Sequence, residues 1–229
     1  MDSKKKSTQQ TYSSIASLYT EDFGKDREDF EIFIYKAIDR LKTLSLKGSV
    51  VDLGSGPGNV VDYLIEKGVD NKIIANEFTP EFSKALEEKY SQSNQVSINS
   101  EDMVKFVPSL KESSISLYIA NYSIIHIPDD EVDPLFNEIY KTLEPKGLFV
   151  LAVWGGSKKD MEEEPYQIEN DKRLNTNKKL LSYMNNFSKD EMKHRLTNAG
   201  FTSIETKVLE TEPVPGSFNQ PRILAFATK

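Results

Sequence analysis

Cysteine is absent from the 229 residues. That excludes a disulfide framework, a thiolate metal site and a cysteine nucleophile, and it suits the cytosol. A basic surplus is also missing. The formal net charge is −7, which argues against a general nucleic-acid binder. No segment approaches the roughly 18 uncharged apolar residues of a membrane-spanning helix. The first ten residues are polar, with Lys4, Lys5 and Lys6, and no apolar run follows, so they do not read as a signal peptide. What remains is 38 % hydrophobic and 28 % charged, the profile of a cytoplasmic globular protein without membrane insertion. The length fits one domain with a modest cap.

The pattern along the chain divides it. Residues 1–10 are expected to be a disordered tail. Residues 11–45 form an N-terminal helical cap, with a short helix over Gln10–Tyr19 and a longer one over Arg27–Leu44. In the second, Phe30, Phe33, Ile34, Ala37, Ile38 and Leu41 repeat at the spacing of one buried face. Residues 46–229 then change period. Strands are expected at Ser49–Leu53, Lys72–Glu77, Gln95–Asn99, Ile115–Ala120, Leu148–Val153, Phe201–Leu209 and Arg222–Thr228. Helices are expected at Asn59–Lys67, from Thr79-Pro80 onward, at Asp130–Leu143, and from a capping box at Ser188–Glu191 to Gly200. Pro145-Lys146-Gly147 reads as a turn. Residues 155–186 are polar and irregular and read as a lid or insertion, part helical. Strands alternating with helices specify an α/β fold. The expected architecture is a Rossmann-like, seven-stranded, mostly parallel sheet with helices on both faces and an antiparallel last strand.

Ligands of such sheets bind beyond the carboxyl ends of the strands. There the sequence places Val50-Val51-Asp52-Leu53-Gly54-Ser55-Gly56-Pro57-Gly58-Asn59. Gly54 and Gly56 permit a tight turn and close backbone approach, and the next helix points its free amides at the loop. Glu77, about 20 residues past the glycine loop, can accept hydrogen bonds from two ribose hydroxyls. Phe78 can lie against an adenine ring. A carboxylate at Asp102 can accept from an adenine amino group, with Met103 as a polarizable neighbour. Glu101 and Ser100 compete for the Asp102 role.

This constellation resembles the class I S-adenosylmethionine-dependent methyltransferases. Residues 50–59 are similar to their acid-then-GxGxG motif, Glu77 to their acidic second-strand end, and Asp102-Met103 to their adenine contacts. Residues 119–127, Leu143–Leu148, and the run from Phe187 to Ala199-Gly-Phe201 resemble later family landmarks. Ser116 and Lys146 depart from the family pattern, which has Asp and Gly there. Within the family the chain looks most like the small-molecule enzymes of ubiquinone and menaquinone biosynthesis, through Tyr12, Ala16 and Tyr19. The resemblance implies S-adenosylmethionine as methyl donor, S-adenosylhomocysteine as product, and a small-molecule acceptor. It implies a cofactor site of Tyr19, Asp52, Gly54, Ser55, Gly56, Gly58, Asn59, Glu77, Phe78, Asp102, Met103 and Asn121. It places Tyr12 and Tyr19 at the cofactor or acceptor; Tyr122 and Trp154, just past the fourth and fifth strands, are further acceptor candidates. No metal is implied.

His126, just past the fourth strand, is the candidate base, and a packing role competes with it. Tyr12 and Tyr19 read equally as helix packing, and Trp154 as core. His194 and the run Glu162-Glu163-Glu164 read as solvated. Three rival functions compete with methyl transfer. A nicotinamide oxidoreductase needs its third glycine one position later. A base-methylating enzyme needs prolines after Asn121. A non-catalytic cofactor-binding regulator, or a protein methyltransferase using residues 155–186 as a groove, leaves no mark in the sequence.

Overall fold

The apolar runs that alternate with amphipathic segments become strands and helices in the computed structural model. It describes residues 2–23, 31–164, 166, 178–210 and 220–229. The helices are α1 (Ser3–Phe23), α2 (Glu31–Thr43), α3 (Asn59–Glu66), α4 (Pro80–Lys89), α5 (Met103–Ser109), α6 (Asp129–Thr142) and α7 (Lys189–Asn198). The strands are β1 (Ser49–Leu53), β2 (Ile73–Asn76), β3 (Val96–Asn99), β4 (Ile115–Asn121), β5 (Leu143–Trp154), β6 (Lys159–Glu163), β7 (Leu181–Asn185), β8 (Thr202–Leu209) and β9 (Arg222–Thr228).

Seven strands form one sheet in the order β3-β2-β1-β4-β5-β9-β8. β1 to β5 run parallel, and β9 runs antiparallel to both β5 and β8. The expected fold class is therefore the one observed. Strand order reverses beside β1, which puts the ligand crevice at the β1 and β4 ends. Each face of the sheet carries its own core. On one, Phe33, Ile34, Ala37, Ile38 and Leu41 of α2 pack with Val60, Leu64 and Leu86. On the other, Phe106, Phe136, Ile139, Met192 and Leu196 pack with Phe149. The five described members of the predicted α2 face are all buried; Phe30 and the predicted start of that helix lie outside the described residues.

Four expectations change. Residues 3–10, expected to be a tail, are the first turns of α1. Their buried members are Lys5 and Thr8, so the segment docks through polar contacts and carries no apolar period to read. Residues 155–186 contain the antiparallel pair β6–β7, where an irregular stretch was expected; Tyr166 is helical, and residues 165 and 167–177 lie outside the described residues. Pro145–Gly147 falls within β5, which pairs with β4 on both sides of it through a register shift. An unforeseen helix, α5, follows β3 because Asp102 caps it: its Oδ1 accepts the Val104 N–H at 3.1 Å.

Candidate active site

β1 ends at Leu53, and the chain turns through three glycines with positive φ: Gly54 (74°), Gly56 (51°) and Gly58 (90°). Their reasons differ. A Cβ on Gly54 would sit 2.4 Å from Ser123 Cβ, and one on Gly58 would sit 2.8 Å from Leu86 Cδ2. Both glycines permit packing. A Cβ on Gly56 would meet nothing within 4 Å, so Gly56 alone borders open space on the ligand side. Gly54 and Ser55 donate their N–H groups to the Asn76 carbonyl at 2.7 and 3.1 Å. The Ser55 hydroxyl turns back to the Asp52 carbonyl at 3.0 Å.

Glu77 stands immediately past β2 and is buried. Its Oε2 accepts the Gly56 N–H at 2.7 Å and its Oε1 accepts the Thr79 N–H at 2.6 Å. The Thr79 hydroxyl and the Phe78 N–H also donate to this carboxylate. Burial raises its pKa, and these donors oppose the rise. Asp52 is 1 % exposed, and its Oδ2 has no hydrogen-bond partner among the described residues. Burial, with the charge of Glu77 adding, pushes its carboxyl up to about 7. Asn121 Oδ1, at the end of β4, is likewise buried without a partner.

The remaining cofactor candidates divide. Asp102 is half-buried while Glu101 is exposed. Asp102 Oδ2 accepts from Lys5 Nζ at 2.8 Å, and Lys5 also pairs with Glu131. Met103 is buried, and the Phe78 carbonyl accepts from Gln9 Nε2 at 2.7 Å. Asn59 Nδ2 donates to the Phe23 carbonyl at 2.7 Å, which ties α3 to the end of α1. So α1 runs across the carboxyl ends of the strands, from Asp102 at one end to Asn59 at the other. Nothing in the apolar pattern signalled Lys5, Gln9 or the buried Asn76, which donates to Asn99 Oδ1 and to the Glu101 carbonyl at 2.8 Å each.

Midway along α1, Tyr12 meets His126. The Tyr12 hydroxyl lies 3.0 Å from His126 Nε2, and His126 Nδ1 lies 2.8 Å from the Tyr183 carbonyl. A carbonyl only accepts, so Nδ1 carries the ring proton. Burial pushes the imidazole down to about 4, so near neutral pH the ring is neutral and Nε2 accepts from Tyr12. Tyr12 in turn is raised well above the ordinary range for phenols, first by burial and then by the charge of Glu164. Tyr19 packs edge-on to Tyr12 with centroids 5.9 Å apart. Tyr122 and Trp154 lie against each other at 4.8 Å and pack on the core. His194 is exposed, as expected.

Residues 50–147 match the family model described as a methyltransferase domain. This stretch of the chain is similar to a methyltransferase domain. It contains the glycine loop, Glu77, Asp102, Asn121 and His126. No curated protein matches the sequence significantly. Among solved structures, the DhpI–SAH complex is 17 % identical, with 98 % of this chain and 96 % of that chain covered and a TM-score of 0.64. Phosphoethanolamine N-methyltransferase 2 of Haemonchus contortus, in complex with phosphomonomethylethanolamine and S-adenosylhomocysteine, is 14 % identical with a TM-score of 0.68. There the whole of this chain is covered, and it spans 60 % of the nematode protein. The 1,6-didemethyltoxoflavin-N1-methyltransferase of Burkholderia thailandensis is 19 % identical over 96 % of this chain and 88 % of that one, with a TM-score of 0.60. At these identities the likeness is one of fold, and the fold is that of S-adenosylmethionine-dependent methyltransferases.

Proposed function

We propose that the protein transfers a methyl group from S-adenosylmethionine to a small-molecule acceptor. The observation that carries this reading is the pair of buried, unpartnered oxygens, Asp52 Oδ2 and Asn121 Oδ1, beside a loop whose Gly56 faces open space. Buried acceptors without donors are costly, and the ammonium of a methionine moiety supplies the missing hydrogen bonds and charge. Glu77, a buried carboxylate immediately past β2 and bonded to the Gly56 N–H of the loop, suits the ribose hydroxyls. Asp102, Met103 and Phe78 suit the adenine. The methyltransferase domain match supports the reading, as do the named substrates of the nematode and Burkholderia enzymes.

The donor supplies a methyl group on a sulfonium, which needs little activation. The chain's task is to place a nucleophile in line with the methyl–sulfur bond, and orientation of this kind contributes roughly 7–11 kcal/mol. α1 and the β6–β7 pair close over the crevice and exclude water. Tyr12 is the group placed to take a proton from the acceptor, passing its own to His126 Nε2, while the Tyr183 carbonyl holds the resulting imidazolium. Tyr12, Tyr122 and Trp154 are assigned to the acceptor side and His126 to the base.

The test is incubation of the purified protein with methyl-labelled S-adenosylmethionine and a panel of small amines, phenols and carboxylic acids. Labelled small-molecule product is the expected outcome. Labelled protein substrate in place of it would overturn the assignment of the acceptor class.

A further inference from the structure

The acidic run Glu162-Glu163-Glu164 reads as solvated in the sequence, but its last member is not. Glu164 follows β6 and is 4 % exposed. Its backbone N–H donates to the Leu180 carbonyl at 2.9 Å, which fixes it against the start of β7. The Ser182 hydroxyl donates to its Oε2 at 3.0 Å, and the Tyr166 N–H also donates to the carboxylate. These neutral donors hold the group in place without neutralising it. Several acids around the α1–hairpin cover are matched by cations: Asp102 by Lys5, and Asp129 and Glu191 by Lys159 and Arg195. Among the described residues Glu164 forms no ion pair. A carboxylate taken this far out of water without a cation is unfavourable.

Its surroundings suit a cation. The charge of Glu164 acts on the Tyr12 hydroxyl, the same hydroxyl that contacts His126. The Tyr19 ring lies 5.9 Å from Tyr12 and 5.7 Å from Tyr166, centroid to centroid. Aromatic rings beside a buried carboxylate favour organic ammonium ions.

We propose that Glu164 anchors the ammonium group of an amine acceptor, which makes the enzyme an N-methyltransferase of small amines. The assignment rests on the methyltransferase reading above and names its substrate class. In the reaction the bound ammonium gives one proton to the Tyr12 oxygen as the Tyr12 proton passes to His126. The freed nitrogen lone pair forms the bond to the methyl carbon. The carbon–sulfur bond breaks with its electron pair remaining on sulfur, which leaves S-adenosylhomocysteine and the methylated, positively charged amine.

The experiment is a binding comparison on the full chain saturated with S-adenosylhomocysteine, which prevents turnover. The probes are ethylamine and benzylamine against ethanol and benzyl alcohol, followed by ligand-observed NMR. The amines are expected to bind at least about tenfold more tightly than the alcohols. Glu164→Gln is expected to remove that preference while leaving S-adenosylhomocysteine affinity unchanged. Ser182→Ala, which frees Oε2 but keeps the charge, is expected to weaken amine binding severalfold and serves if the Gln variant does not fold. Equal binding of alcohols, an unchanged preference in Glu164→Gln, or no amine binding by a protein that does bind S-adenosylhomocysteine would overturn the proposal. Failure to bind S-adenosylhomocysteine would overturn the methyltransferase reading beneath it.

Discussion

The Glu77 carboxylate accepts the Gly56 N–H at 2.7 Å, so the end of β2 fixes the shape of the loop that follows β1. The residue expected to read the ribose also sets the backbone beneath it. Gly56 and Gly54 are therefore expected to respond differently to a methyl group. Gly56→Ala has room in the protein but carries positive φ, at a cost of roughly 1–2 kcal/mol, and its methyl enters the ligand space. It should fold and bind S-adenosylmethionine weakly. Gly54→Ala drives its Cβ onto Ser123 and should lose more thermal stability than Gly56→Ala does. Melting curves and cofactor titrations on the two variants check the contrast.

Asp52 should make the protein's stability fall as pH rises from about 4 to about 7 and level off above that. Its native carboxyl lies at about 7 against an ordinary 3.8, so between those values the native state binds more protons than the unfolded one, and stability is lost with rising pH. Asp52→Asn should be relatively more stable than wild type at pH 8 than at pH 4. If an ammonium pairs with Asp52, donor binding at pH 7 also releases a proton. Calorimetric titrations in two buffers of different ionisation enthalpy should then give different heats, and the difference should vanish in the variant.

His126 contributes in the opposite sense. Its native value of about 4 lies below the ordinary 6.5, so the unfolded state binds the extra proton between them. Stability from this group is present above 6.5 and is lost as pH falls to 4. His126→Ala should flatten that acid limb of the melting profile. As the proposed base it should also lower kcat by about 100-fold. Wild-type turnover in the variant would leave His126 a packing residue.

Lys146 stands where the family pattern has Gly, and the structure shows what that costs: its φ is +68°, and its side chain is exposed. Lys146→Gly should relieve about 1 kcal/mol of strain and raise the melting temperature by about 2–4 °C, with activity unchanged.

The sheet was legible because β1, β4 and the Leu148–Val153 part of β5 are short apolar runs, and because glycines and caps such as Ser188–Glu191 mark the ends of neighbouring elements. The glycine loop and Glu77 were legible because their spacing is local. α1 was underread because Lys5, Thr8 and Gln9 dock it through hydrogen bonds and ion pairs to residues distant in sequence, which leave no period. The burial of Glu164 is hidden for the same reason: it comes from pairing β6 with β7 and laying α1 over them, and a run of three acids looks solvated without that cover. The spacing of Asp102 points to a ligand contact, whereas its work as the cap of α5 and partner of Lys5 depends on α1 lying over it.

The central claim is tested most directly by calorimetric titration of the protein with S-adenosylmethionine and S-adenosylhomocysteine, with Glu77→Ala alongside. The account predicts micromolar binding of both ligands and at least tenfold weaker binding by the variant, a loss of roughly 1.4 kcal/mol. Wild-type protein that binds neither ligand would contradict it.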